Sequence, residues 1–184
     1  LNLNKPVDLL SKITLPEGGT VSISYKPSSH YTTISGALLN PELSAIIQTV
    51  ASVTTNDPVL SVSGTTTYAY EGGKYFGTTA YNSKFAGFHV VTKTDPAGNV
   101  TKTYYHQGDT TDIALGEYAD SEPKIGRAYR TEQSDSAGNL YTVSVTKWDQ
   151  HVLGVDHTFV KPVRTTMLTY DGGTSHRDAA QEFT

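Results

Sequence analysis

One five-residue turn, written twice, constrains this chain more than any other feature. Asp95-Pro96-Ala97-Gly98-Asn99 and Asp135-Ser136-Ala137-Gly138-Asn139 share the pattern Asp-x-Ala-Gly-Asn, and each runs on into an apolar residue, Val100 or Leu140. Every position is turn chemistry. Aspartate accepts from backbone amides two residues on, proline presets φ, and Gly and Asn tolerate the left-handed region. Alternating Thr, Tyr and Val lie on both sides, and these residues fit a half-buried pleated surface. The spacing predicts strands over 88–94, 100–105, 129–134 and 140–148, which make two β-hairpins built to one plan.

Weaker echoes extend the plan. Tyr170-Asp171-Gly172-Gly173 reads as a third turn of the same kind. Near the start, Ile13 and Leu15 alternate, residues 16–19 supply turn chemistry, and Val21, Ile23 and Tyr25 alternate again before Pro27 ends the strand. The glycine pairs at 18–19, 72–73 and 172–173 read as hairpin turns. Residues 40–52 satisfy two patterns. Leu43, Ile46, Ile47 and Val50 have helical spacing behind Asn40 and Pro41, while Ile46, Gln48 and Val50 alternate as in a strand. The all-β surroundings favour strand from Ile46. The expected fold is all-β: successive antiparallel hairpins, with little or no helix, in a single segment over 1–184. Tyr68, Tyr70, Phe85, Phe88, Val90, Tyr104, Tyr129, Leu140, Val143, Val145 and Trp148 are the expected packing residues. The polar stretch between the first two hairpins, about 107–131, reads as a long surface connection.

Composition excludes several functions. The net charge is −4 with no cluster of Lys and Arg, which argues against sequence-independent nucleic-acid binding. There is no cysteine, hence no disulfide framework, thiolate metal site or cysteine nucleophile. No apolar run approaches the roughly 20 residues of a membrane helix. Charged residues make up 17%, below the roughly 25% of ordinary soluble domains, and the low charge with many small polar residues suggests a secreted or cell-surface β protein. The chain opens on Leu1 with no leader pattern, so it reads as an excerpt of a longer polypeptide.

No catalytic, cofactor or metal site is expected. His30, His89, His106, His151, His157 and His176 form no zinc motif. Asp149, His151, Asp156 and His157 are the densest cluster and read as a polar loop between Trp148 and Phe159. Asp109, Asp112, Glu117, Asp120 and Glu122 could hold a cation, but the default is a solvated acidic loop. Asp95, Gly98, Asn99, Asp135, Gly138, Asn139, Asp171 and Gly172 are assigned to turns, because calcium loops need several oxygen ligands at alternate positions.

The hairpins resemble YD-repeat, or Rhs-type, sequence, with Thr94-Asp95, Ser134-Asp135 and Tyr170-Asp171 in the place of the Tyr-Asp pair. The succession Phe85-Ala86-Gly87-Phe88, Thr94-Asp95, Tyr105-His106-Gln107 and Gly126 to Arg130 is more specific. It resembles the shell-forming region of Tc insecticidal toxin B components and of SpvB-type secreted proteins, over residues 64–148. The resemblance implies a strip of a large hollow β-shell that encloses a toxic C-terminal polypeptide, with flanking segments of the same chain and the enclosed domain as partners. Exposed strand edges also invite self-association. The family's self-cleavage region has no counterpart here. A rival reading is an adhesin or carbohydrate-binding module, in which exposed tyrosines stack on sugars. An enzyme on a β scaffold is a third, for which no spacing of catalytic groups is seen.

Overall fold

In the computed structural model of the chain, the structure describes residues 8–77, 79, 81–109, 111–154 and 157–183. Strand pairing organises them. Ten strands form one antiparallel sheet in the order β1-β2-β3-β4-β7-β8-β9-β10-β11-β12, so the strands of this sheet follow chain order, with one excursion between β4 and β7. The strands are β1 (Lys12–Thr14), β2 (Thr20–Pro27), β3 (Gln48–Asp57), β4 (Val62–Glu71), β7 (Val90–Thr94), β8 (Val100–Tyr105), β9 (Ala128–Ser134), β10 (Leu140–Val152), β11 (Thr158–Tyr170) and β12 (His176–Glu182). The remaining two, β5 (Tyr75–Phe76) and β6 (Lys84–Phe85), pair only with each other, inside the excursion between β4 and β7. The sheet is open, with β1 and β12 as its end strands. The only helical pieces among the described residues are 3₁₀ turns at Ser28–His30, Ile113–Leu115 and Glu122–Lys124.

The repeated turns carry one geometry. Asp95 and Asn99 close the first, with Asp95 N–H donating to the Asn99 carbonyl at 2.9 Å and Gly98 N–H to the Asp95 carbonyl at 3.0 Å. Asp135 and Asn139 close the second at 3.0 Å, with Gly138 to Asp135 at 3.1 Å. Gly98 and Gly138 both have φ of +88°. A three-residue loop of this kind ends in a left-handed residue, which glycine adopts without Cβ strain. The hairpins lie side by side, since β8 pairs with β9 from Val100↔Ser134 to Tyr105↔Ala128. Their tips touch: a Cβ built on Gly98 would lie 2.9 Å from Ser136 Cβ, whereas one on Gly138 would meet open space.

Residues 40–52 divide at Gln48. The strand begins there, and the helical spacing before it is not used. Pairing on both sides decides the matter, with β2 at Lys26↔Thr49 and β4 at Ser52↔Thr67. The threonine-rich composition finds its use in the same ladders. Hydroxyls of Ser24 and Ser52 meet at 2.7 Å, Thr54 and Thr65 at 2.9 Å, and Thr146 and Thr165 at 3.2 Å. Such pairs couple adjacent strands where no thick core exists.

Three expectations are corrected. Gly72-Gly73 is not a hairpin turn, because β4 pairs with β7 and not with the strand that follows it. These glycines allow close approach instead. A Cβ on either would come within 2.8 Å of a side chain, His89 for Gly72 and Phe88 for Gly73. Gly73 N–H donates to Asn40 Oδ1 at 2.8 Å, and Asn40 Nδ2 donates to the carbonyls of Ser28 and Tyr70, each at 3.0 Å. Second, residues 149–158 are not one polar loop. β10 runs to Val152 and β11 starts at Thr158, with Asp149↔Lys161 and His151↔Phe159 in register. Asp156 lies outside the described residues. Third, Phe85, in the small sheet, is exposed, with its ring tilted on Tyr75 and edge-on to Phe88.

The core is thin. Among the described residues the buried hydrophobics are Tyr31, Ala86, Val90, Tyr104, Tyr129 and Val143. Val90, Tyr104 and Tyr129 form one cluster, with Leu115 and Trp148 packed against it. A register shift at Tyr104/Tyr105 opposite Ala128 and Arg130 leaves Tyr129 as the extra residue of a bulge. It re-aims a side chain in the way bulges do, and the Tyr129 and Tyr104 rings stand 6.2 Å apart.

The tip contact yields a prediction. Gly138→Ala should cost about 1 kcal/mol, the usual left-handed penalty for an L-residue. Gly98→Ala should cost more, because its Cβ would also displace Ser136, and Ser136→Gly should narrow the difference. Equal losses in urea denaturation would show that the tips do not pack together.

Candidate functional site

The turn residues singled out from sequence are self-satisfied. Asp95 Oδ1 accepts from the amides of Ala97 (2.9 Å) and Asn99 (2.8 Å), and Oδ2 accepts from Asn99 Nδ2 at 2.8 Å. Asp135 repeats the set with Ala137 and Asn139 at 2.9, 2.8 and 2.8 Å. The asparagine amide and these backbone bonds hold both carboxyls below the usual carboxylate range. Asp171 and Gly172 (φ +84°) sit in the β11–β12 connection. Serine 175 stands where the other two turns have asparagine, so the same clamp cannot form. The structure sets the 95–99 and 135–139 turns side by side, and Asp171 and Gly172 belong to the β11–β12 connection.

The structure also gathers a group that sequence spacing left apart. Among the described residues of 106–127, Asp109 and Glu122 are exposed as in a solvated loop, but Glu117 and the Asp120 carboxylate are not. His106 N–H donates to the Arg127 carbonyl and Gly126 N–H to the His106 carbonyl, each at 3.0 Å, which closes the loop at its base. Trp148 Nε1 donates to the Ala128 carbonyl at 2.8 Å, Arg130 Nη1 to the Leu115 carbonyl at 3.2 Å, and Ser121 Oγ to Gln150 Oε1 at 2.8 Å. The connection is therefore tied back onto β9 and β10. Within it His106, Gln107, Glu117 and Lys124 are buried.

His106 sits at the centre. Its side chain is 0% exposed, and the Glu117 and Asp120 carboxylates are 3% and 1% exposed. Nδ1 stands 2.7 Å from Glu117 Oε1 and 3.1 Å from Asp120 Oδ1. Backbone amides orient both carboxylates: Asp112 N–H on Glu117 Oε2 at 2.6 Å, and Gln107 and Gly108 N–H on Asp120 Oδ2 at 3.1 and 2.6 Å. Ser121 N–H donates to Asp120 Oδ1 at 2.7 Å. Lys124 Nζ donates to the carbonyls of Tyr118, at 3.2 Å, and Ala119. Ala119 has φ of +43°, a left-handed turn between the two acids. On the other side the Tyr129 ring lies 5.2 Å from the His106 ring, and Tyr129 Oη is 2.9 Å from His89 Nε2.

Burial governs the titration of this group, modified by its neighbours. It opposes charge on His106, yet the carboxylates of Asp120 and Glu117 close beside Nδ1 outweigh it and raise the imidazole above its ordinary value. For Asp120 burial acts upward, and the His106 contact with the backbone amides overrides it, so the carboxyl is lowered. Burial pushes Lys124 down and Tyr129 up, and it pushes Tyr104, beside Glu132, up to about 12. His106, Glu117 and Asp120 could hold a metal ion, since one ligand atom from each lies within 4.8 Å of the others. The sequence pattern names Glu117 and Asp120 among possible cation ligands but leaves out His106, which forms no pair with a second histidine. The available signal was one histidine at a strand end followed by a long acidic connection.

Residues 1–112 match the model of the family described as the insecticide toxin TcdB middle/N-terminal region. That is more than half of the chain, and the chain belongs to this family. No curated protein matches it. The match starts before the stretch that carries the motif resemblance and stops sooner. It takes in the first hairpin and ends inside the 106–127 connection, between His106 and the two acids.

Asp120→Asn removes a buried charge that backbone amides hold, and should cost about 3 kcal/mol in equilibrium denaturation. The pH dependence has a definite sign. His106 is raised, so its contribution is full below about 6.5 and is lost as pH climbs through the folded value. Asp120 is lowered, so its contribution is present above its ordinary value and is lost as pH falls through the folded one. Denaturation midpoints in chelator-containing buffer should fall on both sides of this window, and Asp120→Asn should flatten the alkaline fall. Stability that rises steadily into the alkaline range would contradict the arrangement.

Proposed function

We propose that this chain is a wall segment of a large secreted Tc-toxin shell of the Rhs, or YD-repeat, type, related to SpvB-type proteins. The shell encapsulates and delivers a C-terminal cargo, and the segment contributes surface and stiffness with no catalysis of its own. One observation supports this reading above the others: a ten-stranded open sheet in chain order, joined to membership of the TcdB family. A sheet whose strands are laid down in chain order can be lengthened at either end without rearrangement. β12, exposed along its whole length, and the three-residue β1 are the edges where flanking segments of the same polypeptide would add.

The carbohydrate-binding alternative gains little. Tyr31, Tyr104 and Tyr129 are buried, and the exposed Tyr81, Tyr118 and Tyr141 lie on different elements. Tyr118 is covered by the Lys147 ammonium, 3.8 Å from its ring centre. Electron microscopy of the native protein, captured by an antibody to the 95–99 turn, tests the proposal. A hollow particle that shields a C-terminal portion from protease is the expected result. A small free protein that binds glycans and loses binding on Tyr141→Ala would overturn it.

A further inference from the structure

We propose that His106, Glu117 and Asp120 form a site for one divalent transition-metal ion, with zinc the best match, which clamps the 106–127 connection onto the sheet. The inference stands on the site's own geometry and does not depend on the shell reading.

The first observation is the state of His106. The residue is fully buried, and neither ring nitrogen has a directed hydrogen-bond partner. Two carboxylate oxygens crowd Nδ1, at 2.7 and 3.1 Å, yet neither meets the geometry of a hydrogen bond to it. A proton on Nδ1 needs an acceptor in line. A cation needs the reverse: it sits on the nitrogen axis, and its other donors stand to either side. Buried nitrogens left without partners are rare and call for an occupant.

The second observation is how the acids are held. Glu117 Oε2 and Asp120 Oδ2 accept backbone amides from Asp112, Gln107 and Gly108, which turns Oε1 and Oδ1 toward the imidazole. Orientation of ligating groups by outer hydrogen bonds is the normal support of a metal centre. Charge points the same way. Lys124 is buried nearby and donates to the Tyr118 and Ala119 carbonyls, not to either carboxylate. The one imidazole in contact with the two buried carboxylates can offset a single charge, and a dication offsets both.

Donor chemistry selects the ion. One imidazole with carboxylate oxygens and no thiolate suits zinc, with manganese the harder alternative. Donors about 2.1 Å from a tetrahedral ion stand about 3.4 Å apart. Binding therefore needs Glu117 Oε1 to move outward by about 0.7 Å, a side-chain adjustment.

Thermal unfolding and calorimetry of the chain, stripped with EDTA and titrated with ZnCl2 alone, test the site. One ion should bind, and Tm should rise by about 5–10 °C at roughly a hundredfold excess over Kd. The rise should be lost in His106→Gln and in Asp120→Asn. Zinc-edge X-ray absorption on the wild-type chain should show a single imidazole among oxygen donors, which keeps the test valid should the variants fold poorly. An unchanged Tm, a shift retained in His106→Gln, or two or more imidazoles at the ion would overturn the proposal, the last two by placing zinc on other histidines.

Discussion

Backbone pairing between strands that follow one another in the chain has to carry this structure, because little else is available. Six hydrophobic side chains are buried among the described residues, too few for a core of ordinary thickness. A lone hairpin is marginal in water, so each one here depends on its neighbours. The sheet order answers that need, since every interior strand has a partner on both sides that it meets soon after synthesis. The turns set the register, and a slip of one residue would turn every side chain to the wrong face. This is why the two Asp-x-Ala-Gly-Asn turns use nearly identical bonds, and why their tips, at Gly98 and Ser136, stand against each other.

The connection over 106–127 does in one place what a second layer does in an ordinary domain. Leu115 packs on the Val90–Tyr104–Tyr129 cluster, and a Cβ on Gly116 would stand 3.1 Å from Val145. His106 gathers Glu117 and Asp120 beneath it. Tyr129, freed from the ladder by a bulge, links this group to His89. The buried polar cluster and the small apolar core are thus two sides of one feature, centred on the tyrosine.

Much of the sheet was legible in the sequence because its signals are local. The strand at Val100–Tyr105 is where alternation put it, and the turn residues at 95–99 and 135–139 declare their geometry through Asp, Gly and Asn. Residues 40–47 misled only in part, since helical spacing there competes with pairing that two distant strands decide. Gly72-Gly73 looked like a hairpin turn because glycine serves close approach as readily as positive φ; Gly72 does both, with φ of +65° and His89 against it, and only the pairing of β4 with β7 shows that no hairpin turns there. The cluster at His106 was not legible. Its members meet through a loop closed by backbone bonds at Arg127 and Gly126, and acidic residues in such a stretch look solvated until that closure is known.

The central proposal is that these residues, 184 in number, form one stretch of a much larger wall. The mass of the native polypeptide that carries them, measured by immunoblot and peptide mass spectrometry in the producing organism, tests it most directly. The account predicts a chain many times heavier than 19.9 kDa, with peptides from this segment continuous with sequence on both sides. A native secreted species close to 20 kDa would contradict it.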